Sequence, residues 1–260
     1  MKLLLDVGNT RLKWAWSSAE GLVRTGNALH RGKDFAAALN SALEEGALPD
    51  EVRVANVAGP AAGALIAEAV LARCGVSVVF ARSRDAAYGL RNGYADPGQL
   101  GVDRWLAMSA AWRKFPGPLC VVDAGTAVTV DIVGADGRHS GGLIVPGAAL
   151  MASALRQQTG DLDRAAGPEP GQEMLAMPVE DRHTFGRDTA SGIRLGAVRA
   201  LTALIADCLV RPGAADMEAK LIISGGDGAW LARLIGARAI YLPDLVLDGL
   251  AIDPVCYAVA

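Results

Sequence analysis

Leu3-Leu4-Leu5-Asp6-Val7-Gly8-Asn9-Thr10 reads as a buried strand that stops at a carboxylate and then turns tightly. Beyond the turn, Leu12, Trp14 and Trp16 alternate with Lys13 and Ala15, the period of a returning strand. The turn displays an acid, a glycine, an amide and a hydroxyl. Asp6 offers a hard anionic oxygen to a Mg²⁺ shell. Gly8 lets backbone approach a phosphate, and Asn9, Thr10 and the turn N–H groups add donors. An ordinary Asp-Gly-Asn hairpin uses the same residues for turn geometry alone.

A second copy shifts the balance. Leu119-Cys120-Val121-Val122-Asp123-Ala124-Gly125-Thr126-Ala127 repeats strand, acid, small residue, glycine and hydroxyl, and an alternating run from Val128 to Val133 follows. The interval from Asp6 to Asp123 is too long for a solenoid period and suits a duplicated domain half.

Between the copies the chain reads as strands Lys2–Asp6, Arg11–Ser17 and Leu22–Ala28, a helix Asp34–Glu45, a strand Glu51–Val57, a helix Pro60–Cys74 ending at Gly75, and a strand Val76–Ala81. A polar loop, Arg82–Gln99, leads into a helix through Trp105 and Trp112 to Phe115. Pro116-Gly117-Pro118 is the clearest break. This predicts an N-terminal lobe over 1–115 and a C-terminal lobe over 116–260. The second lobe repeats the plan: strands Leu119–Asp123, Thr126–Val133 and His139–Val145, a helix Ala148–Gln157, a surface loop Thr159–His183, and a helix Arg187–Val210. A strand Leu221–Ile223, a helix Gly228–Ile235, a strand Arg238–Leu242 and a helix Leu245–Ile252 close it.

Composition narrows the function. Of 260 residues, 52% are hydrophobic and only 5% aromatic, so the core is aliphatic. A net charge of −3 argues against a bulk electrostatic partnership with nucleic acid. Cys74, Cys120, Cys208 and Cys256 form no C-x-x-C pair and read as reduced cysteines of a cytoplasmic protein. His30, His139 and His183 stand near no Ser or Cys motif, which leaves a nucleophilic triad without support. Asp6 interrupts the N-terminal apolar run and Pro146-Gly147 breaks the longest later one, so neither a secretory signal nor a membrane span is expected.

Three strands end in small polar turns: at Asp6, at Asp123 and at Ser224-Gly225-Gly226. Strand carboxyl ends are where α/β folds bind ligands. Two such turns suit a nucleotide's phosphates, and the Gly-Gly turn would let backbone pass flat under a purine. No G-x-x-x-x-G-K-[ST] and no G-x-G-x-x-G after a strand occurs. Asp103-Arg104 opens a helix, either as a dipole partner or as a general base beside a cation that holds a substrate carboxylate. Tyr94 and Pro97 would shape that pocket. Lys13 suits phosphate charge or a solvated strand face. Thr189 suits a helix cap or a substrate donor. Gly141 to Gly147 suits close backbone packing or a substrate-facing turn.

Taken in order, these motifs resemble the type III pantothenate kinases over nearly the whole chain. The resemblance is carried by Asp6-Val7-Gly8-Asn9-Thr10, Tyr94-x-Asp96-Pro97-x-x-Leu100-Gly101-x-Asp103-Arg104, Asp123-x-Gly125-Thr126-Ala127, Gly141-Gly142-x-Ile144-x-Pro146-Gly147 and Asp188-Thr189-x-x-x-Ile193-x-x-Gly196. Asp96 stands where the family usually has Asn, and the Thr159–His183 loop is longer than expected for it. The resemblance implies a two-lobed ribonuclease-H-like or actin-like ATPase fold with a duplicated β-β-β-α-β-α core and ATP between the lobes. It implies phosphorylation of pantothenate toward coenzyme A. Asp103 would accept the proton; Tyr94, Gly101, Val102, Asp103, Arg104 and Thr189 would contact pantothenate. Asp6, Val7, Gly8, Asn9, Thr10, Arg11, Leu12, Lys13 and Thr126 would contact ATP. Mg²⁺ would lie near Asp6 and a monovalent cation, K⁺ or NH₄⁺, at Asp123. Members are homodimers. Two alternatives are another small-molecule kinase of the superfamily and a silent dimeric regulatory protein. Retention of Asp6, Asp103 and Asp123 argues against the second.

Overall fold

A computed structural model describes residues 1–30, 35–44, 48–158, 185–210 and 219–252. The expected loop Thr159–His183, the Asp34 end of the first helix and Cys256 lie outside them. The chain divides into two compact units, one formed by Met1–Lys114 with the segment from Asp244 onward, the other by Phe115–Pro243.

In the first unit, β1 (Lys2–Val7), β2 (Arg11–Ser18), β3 (Gly21–Leu29), β4 (Glu51–Asn56) and β5 (Val78–Phe80) form one sheet in the order β3-β2-β1-β4-β5. β1, β2 and β3 pair antiparallel, while β4 lies parallel to β1 and β5 parallel to β4. Helices α1 (Phe35–Glu44) and α2 (Pro60–Cys74) connect the strands that run parallel. Successive side chains on a strand face opposite ways. Leu3, Leu5 and Val7 accordingly pack with α1 and α2, in a cluster that includes Phe35, Leu39, Ile66 and Val70. Asp6 and Leu4 face the other side. Gly75, left-handed at φ 70, ends α2 by donating its N–H to Leu71 O at 3.0 Å.

The expected loop Arg82–Gln99 carries local structure. A small hairpin, β6 (Ala86–Ala87) and β7 (Leu90–Arg91), turns at Tyr88 and Gly89, both at positive φ, the pattern of a tight two-residue hairpin. A 3₁₀ turn at Pro97–Gln99 then leads into α3 (Val102–Lys114).

The second unit contains β8 (Leu119–Ala124), β9 (Ala127–Val133), β10 (His139–Pro146), α4 (Ala148–Gln158), α5 (Thr189–Val210), β11 (Lys220–Ser224), α6 (Gly228–Ile235) and β12 (Ala239–Tyr241). Its sheet order, β10-β9-β8-β11-β12, repeats the first with the same strand directions. Cys120, Val122 and Ala124 pack with α5 and α6, through Val198, Leu201, Ile205, Trp230 and Leu231. Asp123, between them, faces the opposite side, as Asp6 does in the first sheet. The duplication is thus one of topology as well as of motif.

The last helix, α7 (Leu245–Ala251), belongs to the first unit and not to the second, where sequence order had placed it. Its Leu245, Val246, Leu247 and Leu250 are buried, and it packs on α3 and on β1 and β4. Gly249 allows the close crossing: a Cβ there would lie 2.4 Å from Leu106 O. At the far end of α7, the buried Arg53 of β4 donates from Nη1 to Leu250 O at 3.0 Å and Ile252 O at 2.8 Å. The end of a helix leaves carbonyls to be satisfied from outside, so a cation is well placed there.

Candidate active site

The first turn places its acid at the carboxyl end of the central strand. Asp6 lies in register between Lys13 of β2 and Ala55 of β4, on the sheet face that α3 and α7 cover. Gly8 N–H donates to Arg11 O at 3.1 Å and closes the turn. Asn9 is exposed and Thr10 half-buried. Val7 and Leu12 are fully buried core residues, so only their backbone is left to meet a ligand. The Arg11 guanidinium donates to the Asn27 side chain.

Behind this turn sits a residue without local sequence signal. His30 follows β3, is buried, and grips the turn twice. Its backbone N–H donates to Thr10 O at 3.0 Å and its ring Nε2 lies 2.8 Å from Gly8 O.

The Asp103 group forms where the 3₁₀ turn meets α3. Asp96 caps the turn: Oδ1 accepts from Gly98 N–H at 3.0 Å and Oδ2 from the Gln99 side chain at 3.1 Å. An asparagine oxygen would accept the Gly98 bond equally, so the Asp in place of Asn leaves the turn intact. Asn92, absent from the sequence reading, ties the loop together. Its amide donates to Arg84 O and Pro97 O, and its oxygen accepts from Tyr94 N–H at 3.0 Å. Tyr94 is thereby set beside α3, where its hydroxyl accepts from Arg104 Nη1 at 2.9 Å with the guanidinium carbon 5.6 Å from the ring centre. Arg104 is 5% exposed. Asp103 occupies the first helical turn, and its Oδ1 accepts from Arg104 N–H at 2.8 Å. A Cβ at Gly101 would lie 2.6 Å from that same Oδ1. Tyr94, Gly101, Asp103 and Arg104, which the resemblance implies as substrate contacts, therefore form one cluster, with Val102 opening the helix between them.

In the second unit, three motifs converge on Asp123. Ser224 pairs in register with Asp123. Gly225, at φ 92, brings its turn so close that a Cβ would lie 2.2 Å from Ala124 O and 2.3 Å from Asp123 Oδ1. Asp227 N–H donates to Ala124 O at 2.8 Å. From the other side Gly147 N–H donates to Thr126 O at 2.8 Å, and a Cβ on Gly147 would lie 2.1 Å from Gly125 O. The glycine run from Gly141 thus ends in close backbone packing against the second turn. Thr126 is exposed. Thr189 is the first residue of α5 and exposed, while the cap is Asp188, whose Oδ1 accepts from Ser191 N–H at 2.8 Å. That hydrogen bond, first among its causes, lowers the Asp188 pKa.

No group of three His, Cys, Asp or Glu residues close enough to hold a metal occurs among the described residues. The donor set at Asp6 fits an ion that takes most of its oxygens from a triphosphate and water, as Mg²⁺ does. At Asp123 a carboxylate stands beside backbone oxygen, in a cradle kept open by Gly225, which suits a larger cation with oxygen ligands.

A family model described as type III pantothenate kinase matches residues 2–211. A protein of that name from Halorhodospira halophila is 38% identical over 255 residues, covering 96% of each chain. One from Nitrosococcus oceani is 35% identical over 259 residues, covering 96% of this chain and 92% of its own. The chain belongs to the type III pantothenate kinase family. Members of this family are kinases, and the matched segment contains Asp6, Asp103, Asp123 and Thr189. Among solved structures, a Campylobacter jejuni protein conjecturally named a conserved Baf family transcriptional activator shares the fold with a TM-score of 0.60 at 23% identity, over 95% of this chain and 94% of that one. A ROK family glucokinase from Streptomyces griseus, in complex with glucose and AMPPNP, does so with a TM-score of 0.52 at 12% identity, over 96% and 97%. The fold is the ribonuclease-H-like, actin-like ATPase fold with a duplicated core.

Proposed function

We propose that this chain transfers the terminal phosphoryl group of ATP to the primary alcohol of pantothenate, giving 4′-phosphopantothenate for coenzyme A synthesis, with Asp103 as general base. The observation that carries the reading is the cluster at the start of α3. One carboxylate is held by a backbone N–H beside a buried guanidinium that a tyrosine hydroxyl orients.

The chemistry asks little covalent work of the protein, so alignment and charge placement do most of it. Arg104 is oriented by Tyr94 to hold the substrate carboxylate. With pantothenate so held, Asp103 takes the proton of the attacking hydroxyl as its oxygen bonds to phosphorus and the bond to the departing ADP oxygen breaks. The N–H groups of Asn9 and Thr10, with Lys13, hold the triphosphate of ATP. Mg²⁺ at Asp6 and K⁺ or NH₄⁺ at Asp123 would offset polyphosphate charge. We further assign the enzyme to the cytoplasm as a homodimer; none of its described helices is long and apolar enough to cross a membrane.

The test is product detection. Incubation with ATP, Mg²⁺, K⁺ and pantothenate yields 4′-phosphopantothenate by mass spectrometry; its absence, with ATP intact, supports a silent relative instead. Asp103→Asn lowers kcat by about 10²–10⁴-fold, the usual worth of general-base help, with the ATP KM nearly unchanged. Near wild-type turnover in that variant removes Asp103 from the role. Activity also requires K⁺ or NH₄⁺, and equal rates in a sodium-only buffer would remove the Asp123 cation site.

A further inference from the structure

We infer that His30 is a positioning residue for ATP: it fixes the peptide between Gly8 and Asn9 so that the Asn9 N–H faces outward, toward a phosphate. The inference rests on the reading above that the Asp6–Thr10 turn holds the triphosphate.

Glycine tolerates almost any backbone conformation. A peptide unit that begins at Gly8 therefore has little intrinsic resistance to flipping, and a flip would present a carbonyl oxygen where a phosphate needs an N–H. In a planar trans peptide the C=O and N–H point in opposite directions. Holding Gly8 O on one side thus fixes Asn9 N–H on the other. His30 provides that hold, with Nε2 2.8 Å from Gly8 O. A carbonyl only accepts, so Nε2 carries the hydrogen. The backbone N–H of the same residue donates to Thr10 O at 3.0 Å, which pins the exit of the turn as well.

The imidazole is itself fixed. It is 4% exposed, and the Phe35 ring meets it edge-on, with centroids 5.0 Å apart and planes at 81°. Its Nδ1 is buried and meets no polar partner among the described residues. Burying a nitrogen unpaired is costly, so the ring is placed for the single bond that Nε2 makes. On the opposite side of the peptide, Asn9 is exposed, which leaves its N–H room to meet a ligand.

The experiment compares His30→Leu, His30→Asn and His30→Gln in the full chain, varying ATP and pantothenate separately, with Asp6→Asn as reference. Glutamine places an N–H where imidazole Nε2 stands; asparagine is one methylene too short. Loss of one buried hydrogen bond is expected to raise the ATP KM by about tenfold in the Leu and Asn variants. Glutamine restores it to within about twofold, and the pantothenate KM and kcat change by less than about threefold throughout. A wild-type ATP KM in His30→Asn, while Asp6→Asn raises it, overturns the role of His30 and leaves the phosphate site standing. So does a Gln variant as impaired as the Asn variant, or an Asn variant that does not fold. An ATP KM unmoved by Asp6→Asn overturns the phosphate-site reading itself.

Discussion

Gly101 shows how closely the α3 cluster depends on one missing methyl group. A Cβ there would stand 2.6 Å from Asp103 Oδ1, and the atom in its way is the end of a side chain and not backbone. Gly101→Ala is therefore expected to displace the carboxylate without unfolding the protein. Turnover falls at least tenfold, while the melting temperature moves by only a few degrees, about 1 kcal/mol or less. A variant with full activity would show that the carboxylate position does not matter. Gly225 is the opposite case. There the clash is with backbone, at 2.2 Å, and φ is 92, so substitution strains the chain wherever the side chain goes. Cys120 makes a further residue-level prediction. Burial, then the neighbouring Cys208 and Asp131, push its thiol up to about 12. The reactive form is the thiolate, so iodoacetamide at pH 8 leaves Cys120 unmodified in the folded protein. The acids and glycines of the site were legible in sequence because their spacing follows a motif. His30 and Asn92 were not, because each acts on a segment that only folding brings beside it.

Arg53 and α7 act as one element. The guanidinium bonds Glu51 through Nε at 2.8 Å and carries two carbonyls at the end of α7. Arg53→Met leaves these acceptors without their donor and is expected to cost about 2–4 kcal/mol, read as a lower denaturant midpoint with unchanged slope. The hydrogen bond from Arg53 is also the main reason that Glu51 titrates below its ordinary value near 4.5. A carboxylate lowered in the folded state stabilises fully above its unfolded pKa and less as pH falls through the folded one. The stability difference between wild type and Glu51→Gln should therefore shrink below pH 4.5; a constant difference down to pH 3 would contradict the pairing. Element boundaries were harder to read than element types. The helix expected from Arg187 begins at Thr189 because Asp188 is its cap. The hairpin at Tyr88-Gly89 was invisible because its strands are two residues each, too short to show a period.

At the scale of the molecule, the first unit is closed by the chain's later part. Leu245, Val246, Leu247 and Leu250 are at most 4% exposed. At about 1.5–3 kcal/mol for each buried side chain, α7 contributes roughly as much as the 5–15 kcal/mol net stability of a typical domain. Truncation after Pro243 is expected to leave the first unit unfolded. Circular dichroism and limited proteolysis check this: protection of residues 1–114 in the truncated chain would show that α7 is dispensable.

The sequence by itself determined the duplicated plan and pointed to most residues of the candidate site. Strand alternation and the recurrence of acid, glycine and hydroxyl are local patterns, written in neighbouring residues. Which unit α7 joins, which glycines stand where a side chain would meet backbone, and which buried groups hold the turns were decided only by tertiary structure. These depend on surfaces that meet across long stretches of chain, as Arg53 meets Leu250 and His30 meets Gly8. No local period encodes such meetings, because the fit is between shapes that exist only once the sheets have formed.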